Sequence, residues 1–174
     1  SVQVLDIRAS KSTVLKKFEI VKLKLLKEGL INNFSRRNLP KYPHSIGILT
    51  SCPSSALADM LRTAKERWPL TRLFIIPIPV QGNNEKELQL ILSNLKANKL
   101  NLNAIVIARG GGNREDLILF DSELIAREIA TFPIPVITGI GHEDDMTVSD
   151  LVSDHRSATP TAAIVDLLPS RNIE

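Results

Sequence analysis

Cysteine, aromatic residues and long apolar runs are all scarce in this sequence. Its one cysteine, Cys52, excludes an internal disulfide and any multi-cysteine metal site, and it favours a reducing, cytoplasmic setting. Aromatic residues are 4% of the chain, so nothing indicates base stacking on aromatic side chains. No apolar run approaches the roughly 20 residues that span a bilayer, and no secretory leader pattern opens the chain. We therefore expect no membrane association.

Charge is divided unevenly along the 174 residues. Residues 1–43 carry ten Lys or Arg against three Asp or Glu, whereas residues 44–174 carry twelve against sixteen. A basic arm beside a slightly acidic body is compatible with a polyanionic partner. From the charge alone, a solvated helix face is the favoured explanation. The length and the 43% hydrophobic content predict one globular domain with a short extension.

The N-terminal arm predicts a strand and then a helix. Residues 2–8 alternate between apolar and polar, which is typical of a strand. A helix should follow, capped by Ser10 or Ser12 and ending near Gly29. Its expected apolar face consists of Val14, Phe18, Val21 and Leu25. Residues 38–43 contain two prolines and predict a linker, so we expect residues 1–40 to form the arm and residues 41–174 the body of the protein.

Four short, two-sided apolar runs alternate with helical patterns in the body. The runs are Ser45–Thr50, Leu73–Ile78, Ala104–Ala108 and Ile134–Thr138. Runs of this kind are typical of buried parallel strands, and their alternation with helices predicts an open, mainly parallel, Rossmann-like sheet with flanking helices. The expected helix starts are Pro53, Asn83 or Asn84, Asp121 or Ser122, and Thr159-Pro160.

The third predicted strand is followed by an arginine and three glycines. Gly110, Gly111 and Gly112 let the backbone approach a ligand closely and turn N–H groups towards a phosphate. Arg109 adds a permanent charge with a forked donor geometry. The spacing matches neither a Walker loop nor the GxGxxG dinucleotide motif. A flexible turn is the alternative for the glycines alone, but the arginine favours phosphate binding.

The fourth predicted strand is followed by a second glycine turn and an acidic cluster. His142 should lie on this loop, where an imidazole can serve as general acid or base. Asp145 would orient His142 or bind a divalent cation. Glu143 and Asp144 are better explained as a charged helix start.

The first predicted strand leads into hydroxyl groups at a helix start. Ser51 is a candidate phosphate ligand, although capping is the simpler role for any single serine here. Cys52 is interpreted as a small apolar residue. Asp59, within the helix, has no chemical signal of its own. Between Asn113 and Asp154 there are ten acids and two arginines, which would repel a phosphodiester unless positive groups offset them.

These motifs, in this order and spacing, resemble the large subunit of bacterial exodeoxyribonuclease VII over roughly Pro40 to Pro169. The matching segments are Ile46–Ser51, Val80–Gly82, Ala108–Gly112, Glu115–Leu117 with Phe120, Pro135–Ile137, Gly141–Glu143 with Asp145, and Asp154–Arg156 with Thr159-Pro160. The combination of Arg-Gly-Gly-Gly and Gly-His-Glu-x-Asp is the most specific part. The resemblance departs from the family pattern at Cys52-Pro53-Ser54 and at Asn113.

The resemblance implies hydrolysis of single-stranded DNA from its ends to short oligonucleotides and nucleoside 5′-phosphates. It also implies several copies of a small helical subunit as partners, which long C-terminal helices outside this chain would recruit. Residues 2–8 would then end an N-terminal OB-fold. Family functional positions carried onto this chain are Asp59, Arg109, His142 and Asp145. No organic cofactor is expected; Mg²⁺ stays open, with Asp59 and Asp145 as candidate ligands.

Taken together, the sequence predicts in-line attack of water on a phosphodiester. Arg109 and the glycine amides would bind the phosphate oxygens, and His142 would act as general base or acid. The alternatives are a non-catalytic nucleic-acid module and a nucleotide-binding oxidoreductase domain; the missing GxGxxG argues against the second. The isolated chain is expected to be weakly active, since the strand-gripping and subunit-binding parts are missing.

Overall fold

The fold is centred on a parallel five-stranded sheet. The computed structural model describes residues 2–80, 82, 84–98, 101–141 and 146–170, with side chains from Thr13 onward. The strands are β1 Ser45–Thr50, β2 Arg72–Pro77, β3 Ala104–Ala108, β4 Val136–Gly139 and β5 His155–Arg156. They lie in the order β2-β1-β3-β4-β5, and each neighbouring pair is parallel. The predicted open α/β class is confirmed; only the two-residue β5 was not predicted.

Helices cover both faces of this sheet. They are α1 Val2–Lys27, α2 Ser55–Arg67, α3 Glu85–Ala97, α4 Glu123–Ala130, α5 Val148–Val152 and α6 Pro160–Leu167, with 3-10 segments at Asn33–Ser35 and Arg114–Asp121. Within the described ranges, no helix has the length and apolar character needed to cross a membrane.

The core has two halves because successive strand residues point to opposite faces. Ile105 and Ile107 pack on the face covered by α1, α3 and α4. Ile46 and Ile48 pack on the face covered by α2 and α6. All four side chains are fully buried, which accounts for the two-sided apolar runs in the sequence.

Most predicted helix starts are correct. Ser122 caps α4 by accepting a hydrogen bond from the backbone N–H of Ile125, and Thr159 caps α6 with Pro160 in its first turn. Asn84 precedes α3 but makes no side-chain capping bond. Pro53 is not the first residue of α2, because Ser54 is the N-cap and the helix begins after it.

The predicted strand at residues 2–8 is wrong. Helix α1 begins at Val2 and passes through Ser10 and Ser12, so neither serine is its N-cap. A strand needs a neighbouring strand for its backbone hydrogen bonds, whereas a helix forms them within one segment. The sequence offers residues 2–8 no nearby strand, and the helical alternative prevails. The expected boundary near residue 40 stays a prediction.

The second half of α1 packs into the main core. Val14, Val21 and Leu25 are buried and Phe18 lies against the same cluster, which confirms the predicted apolar face. The helix ends at Lys27 and is followed by Gly29, whose φ is +79°. Gly29 N–H bonds to Leu26 O and Leu30 N–H to Leu25 O, the two hydrogen bonds of a Schellman cap.

Close backbone contact fixes the start of α6 against the end of β4. A Cβ atom on Gly139 would lie 2.7 Å from the carbonyl oxygen of Thr159 and 3.1 Å from the Cα of Pro160. Both neighbours are backbone atoms and cannot rotate away. Only glycine therefore allows the N-terminus of α6 to reach the carboxyl edge of the sheet.

Docking of α1 can be tested by truncating one of its buried leucines. Leu25→Ala should lower the free energy of unfolding by about 2–5 kcal/mol, because Leu25 is fully buried. Leu23→Ala is the matched control in the same helix; Leu23 is 57% exposed, and its truncation should cost less than about 0.5 kcal/mol. Urea denaturation followed by circular dichroism measures both. Equal losses would show that α1 does not pack as described.

Contact between β4 and α6 can be tested with a methyl group. Gly139→Ala should destabilise the fold by about 1–3 kcal/mol, because the added carbon overpacks the contact with Thr159. Gly111→Ala, where no heavy atom lies within 4 Å of the added carbon, should change stability by less than about 0.5 kcal/mol. A thermal unfolding series compares the two. A stable Gly139→Ala would contradict the close approach.

Candidate functional site

The loops that follow β1, β3 and β4 emerge at one edge of the sheet. Leu49 pairs with Ile107, and Ala108 pairs with Gly139, so the three strands end at nearly the same level. Ligands of open α/β sheets bind beyond the carboxyl ends of the strands. This edge is the candidate functional site.

Arg109 follows β3 but turns inward. Its side chain is buried, with Nε donating to the Val80 carbonyl at 3.1 Å. Its Nη1 donates to the carbonyls of Gly110 at 3.0 Å and Gly111 at 2.7 Å. The guanidinium therefore holds its own glycine loop in shape, and only Nη2 makes no hydrogen bond within the described part of the chain.

Gly112 completes the turn against this guanidinium. Its φ is +147°, and a Cβ atom would lie 2.5 Å from Nη1 of Arg109 and 3.1 Å from Oδ2 of Asp116. The same Asp116 oxygen accepts the N–H of Asn113 at 2.9 Å and so closes the loop onto the following 3-10 segment. Glycine is required here by both conformation and space.

Two amide groups of this loop are available for a ligand. The N–H of a trans peptide points opposite to its C=O. Because the carbonyls of Gly110 and Gly111 face Arg109, the N–H groups of Gly111 and Gly112 point away from it. Neither N–H donates to a described residue. Unpaired glycine amides beside a cation suit an anionic oxygen.

Two cavities meet at this loop. The first holds about 50 Å³ and contains Arg109, Gly112 and Gly141 in its lining. The second holds about 250 Å³ and contains Ser55 and Asp59. Gly110, Gly111, Thr159 and Pro160 line both cavities. The glycine loop and the start of α6 thus form a wall common to the two spaces.

Asp59 lies on the first turns of α2, at the second cavity. Its carboxylate is half-exposed and pairs with Arg62, three residues later. The structure thus brings Asp59 to the same glycine loop as Arg109, which the sequence pattern of α2 did not indicate. Ser51 lies after β1 and lines neither cavity, while Ser54 caps α2. The free thiol of Cys52 is exposed, so its interpretation as an apolar filler is wrong.

His142 and Asp145 lie outside the described residues, as do Glu143 and Asp144. Gly141, immediately before them, lines the first cavity. Met146, immediately after them, is held through its carbonyl by Arg114 at 3.3 Å. Gly141 and Met146 are therefore the described residues that lie nearest to this segment.

Several acids of the 113–154 cluster have structural roles. Asp150 accepts hydrogen bonds from Thr138 Oγ1 at 2.7 Å and from the Thr147 backbone at 2.8 Å. Asp154 pairs with Arg37 at 2.9 Å and accepts the N–H of Val136 at 2.7 Å. Both carboxylates are hydrogen-bonded inside the fold, and the charge of Asp154 is offset by Arg37, so it repels a phosphate less than the bare count of acids indicates.

Asp121 is a third buried acid of this cluster. Burial raises the pKa of Asp121 above its ordinary value, and the Arg114 charge beside it acts in the opposite direction. Their ion pair measures 2.7 Å. The carboxylate of Asp121 therefore has a structural role, because its partners are Arg114 and the N–H of Val148.

His155 forms a separate polar group on the α6 side of the sheet. Its Nε2 lies 2.9 Å from Oδ2 of Asp166, and Ser157 Oγ donates to the same oxygen at 2.6 Å. Burial acts to raise the pKa of Asp166, but the hydrogen bonds from Ser157 and His155 outweigh it and hold that pKa below its ordinary value. Two side chains of the Asp-His-Arg motif at residues 154–156, those of Asp154 and His155, thus make polar contacts within the fold.

The start of α6 is the part of the site that the sequence reasoning missed. Thr159 and Pro160 were predicted as a helix start only, yet they line both cavities. Thr159 Oγ1 accepts the N–H of Ala162 at 3.0 Å, and Thr161 lines the second cavity. Their relation to the glycine loop depends on the tight contact at Gly139, which no local pattern reveals.

The described residues contain no ready-made metal centre. No three His, Cys, Asp or Glu side chains among them are grouped closely enough to hold an ion together. The second cavity nevertheless offers oxygen ligands, with the Asp59 carboxylate beside Ser55 and Thr161. Mg²⁺ is usually held by one or two carboxylates, waters and substrate phosphates. Asp59 is therefore compatible with a metal that arrives with the substrate.

A family model and individual similar proteins point to the same family. The family model for "Exonuclease VII, large subunit" matches residues 30–173. The exodeoxyribonuclease 7 large subunit of Parasynechococcus marenigrum is 59% identical over 99% of this chain and 45% of its own length. The proteins of the same name from Campylobacter hominis and Legionella pneumophila (strain Lens) are 46% and 40% identical over 90% and 94% of this chain.

The chain spans less than half the length of these curated relatives, covering 40% of the Campylobacter protein and 37% of the Legionella protein. The range matched by the family model, residues 30–173, contains the Arg109 loop and Asp59 of this chain. The chain belongs to the exonuclease VII large subunit family.

Proposed function

We propose that this chain is the phosphodiester-cleaving core of an exodeoxyribonuclease that acts on single-stranded DNA. Family membership and the name of the similar proteins support a DNA exonuclease. The observation that carries the proposal is the glycine loop: Gly111 lines both the cavity of Arg109 and the cavity of Asp59, and the N–H groups of Gly111 and Gly112 donate to no described residue. An anion-binding loop beside a carboxylate is what phosphodiester hydrolysis requires.

In the proposed reaction, the glycine loop binds the scissile phosphate. The N–H groups of Gly111 and Gly112 donate to its non-bridging oxygens, and the buried Arg109 supplies positive charge behind them. Arg109 acts chiefly by holding the loop, since three of its hydrogen bonds go to backbone carbonyls. Ser51 remains a candidate for a neighbouring phosphate of the strand.

Water attacks the phosphorus in line, and the bond between phosphorus and the 3′ oxygen breaks. His142 takes the proton of the water or gives one to the departing 3′ oxygen. The products are a 3′ hydroxyl and a 5′ phosphate, which accounts for nucleoside 5′-phosphates and short oligonucleotides. Asp145 and Asp59 orient His142 or hold Mg²⁺, which would supply charge to balance the phosphate when bound.

The whole enzyme has further parts in this proposal. Several copies of a small helical subunit would assemble on segments outside this chain, and an OB-fold would precede α1 and grip the strand. Residues 1–40 would then connect that OB-fold to the catalytic domain of residues 41–174. The exposed thiol of Cys52 is compatible with a cytoplasmic setting. The isolated chain should accordingly be only weakly active.

A non-catalytic nucleic-acid module is the second candidate. The commitment of Arg109 to backbone carbonyls favours it, because a loop held in this way can bind phosphate without any chemistry. Release of end label from single-stranded DNA by the assembled enzyme separates the two. A module would bind the strand and release no label.

His142 can be tested by removing its imidazole from the assembled enzyme. His142→Ala should lower the cleavage rate by about 10²–10⁴-fold, the usual contribution of a general acid or base. Binding of single-stranded DNA should persist, because the glycine loop is unchanged. Label release and a filter-binding assay measure the two properties. A variant that digests DNA at nearly the normal rate would exclude the proposed mechanism.

Asp59 can be tested against its own ion-pair partner. Asp59→Asn should lower kcat by about 10- to 100-fold, because it removes a charge that orients the reacting groups. Arg62→Gln is the matched control on the same helix; it breaks the same exposed pair and should leave kcat within about threefold. A titration of Mg²⁺ with each variant then distinguishes a metal ligand from an orienting group. Equal loss in both variants would assign the effect to α2 rather than to Asp59.

A further inference from the structure

A buried ion pair lies beneath the candidate site. Arg114 and Asp121 begin and end the 3-10 segment that follows the glycine loop, and their side chains are 10% and 1% exposed. Arg114 Nη2 donates to Asp121 Oδ1 at 2.8 Å and lies 2.7 Å from Oδ2. Neither Arg114 nor Asp121 has a role in the proposed reaction.

The pair also holds the backbone that follows residues 142–145. Arg114 Nη2 donates to the Met146 carbonyl at 3.3 Å. Asp121 Oδ1 accepts the N–H of Val148 at 3.1 Å. Each member of the pair therefore contacts the chain within three residues of Asp145.

Helix α1 covers the other side of the pair, and Arg114 itself follows the glycine loop closely along the chain. Arg114 comes five residues after Arg109 and directly after the closed turn at Asn113. The Phe18 ring of α1 covers its guanidinium, 5.4 Å from ring centroid to Cζ. The pair thus connects the loop after β3 to the segment after β4 and is shielded from water on its outer side.

From these contacts we infer that the Arg114–Asp121 pair is a positioning element that sets where the segment carrying His142 returns to the fold relative to the glycine loop. This inference rests on the proposed function. Hydrogen bonds to backbone atoms fix both distance and direction, whereas apolar contacts in the same place would allow sliding. Small displacements of reacting groups have large effects on rate.

The chain contains a matched pair for comparison at the opposite edge of the sheet. Arg37 and Asp154 form a part-buried ion pair of 2.9 Å. Arg37 also donates to a backbone carbonyl, that of Ile129, and Asp154 accepts a backbone N–H, that of Val136. Loss of this pair should disturb the fold in a similar way but leave the candidate site in place.

The experiment uses the assembled full-length enzyme with two double variants, Arg114→Leu/Asp121→Leu and Arg37→Leu/Asp154→Leu. Replacing both partners leaves no buried charge without a partner, so both variants should fold. Steady-state hydrolysis of single-stranded DNA gives kcat and KM, and thermal unfolding gives stability. The first variant should lose about 10- to 100-fold in kcat with KM within about twofold, and the second should keep its kcat.

Unchanged kcat in Arg114→Leu/Asp121→Leu overturns the inference, and so does an equal loss in both double variants. Arg114→Met/Asp121→Leu, in which the unbranched methionine follows the path of the arginine stem and no buried charge is left without a partner, replaces the first variant if that protein does not fold; unchanged kcat there overturns the inference too. Wild-type enzyme is measured alongside. Absence of hydrolysis by the wild type removes the proposed function and the inference together, whereas active wild type with equally active variants removes the inference alone.

Discussion

Parallel pairing of β1, β3 and β4 is the constraint on which the candidate site depends. Ile107 of β3 pairs with Leu49 on one side and with Thr138 on the other. Because all three strands run in the same direction, the loops that follow them leave the sheet at the same edge. An antiparallel β3 would place the glycine loop at the opposite edge, away from α2 and α6. The long crossovers that parallel strands require are the helices that bury the sheet.

Charge at this edge is arranged in an unexpected way. Arg109 was expected to point at the ligand, but its guanidinium is turned towards the carbonyls of Gly110 and Gly111. A buried cation that holds its own loop leaves backbone amides as the groups presented outward. Such amides are fixed before any ligand arrives, which is how preorganised donors stabilise developing charge. The arginine and the glycines therefore function as one unit.

The sequence predicted what depends on local pattern. Two-sided apolar runs marked Ile48 and Ile105 as buried, and Thr159 was recognised as a helix cap. What it did not predict depends on contacts between distant segments. Asp59 resembles any surface acid with an arginine three residues later, and the contact between Gly139 and Thr159 joins residues twenty positions apart.

The error at the N-terminus has a related origin. Residues 2–8 alternate as a strand would, and alternation over so short a stretch is equally compatible with the start of a helix. The deciding factor is whether another strand is available for pairing, which a one-dimensional pattern does not contain. His142 and Asp145 were chosen from their chemistry and from the family resemblance, and both lie outside the described residues, so their placement stays a prediction.

The two borders of the sheet differ in a way that bears on self-association. An open strand border presents unpaired N–H and C=O groups that can template the addition of another chain. At one border β5 has only two residues, which is too short to recruit a strand. At the other, β2 begins with Arg72 and ends with Pro77, a cation and a residue without an N–H. Both borders of the described sheet therefore offer little for edge-to-edge pairing with another chain.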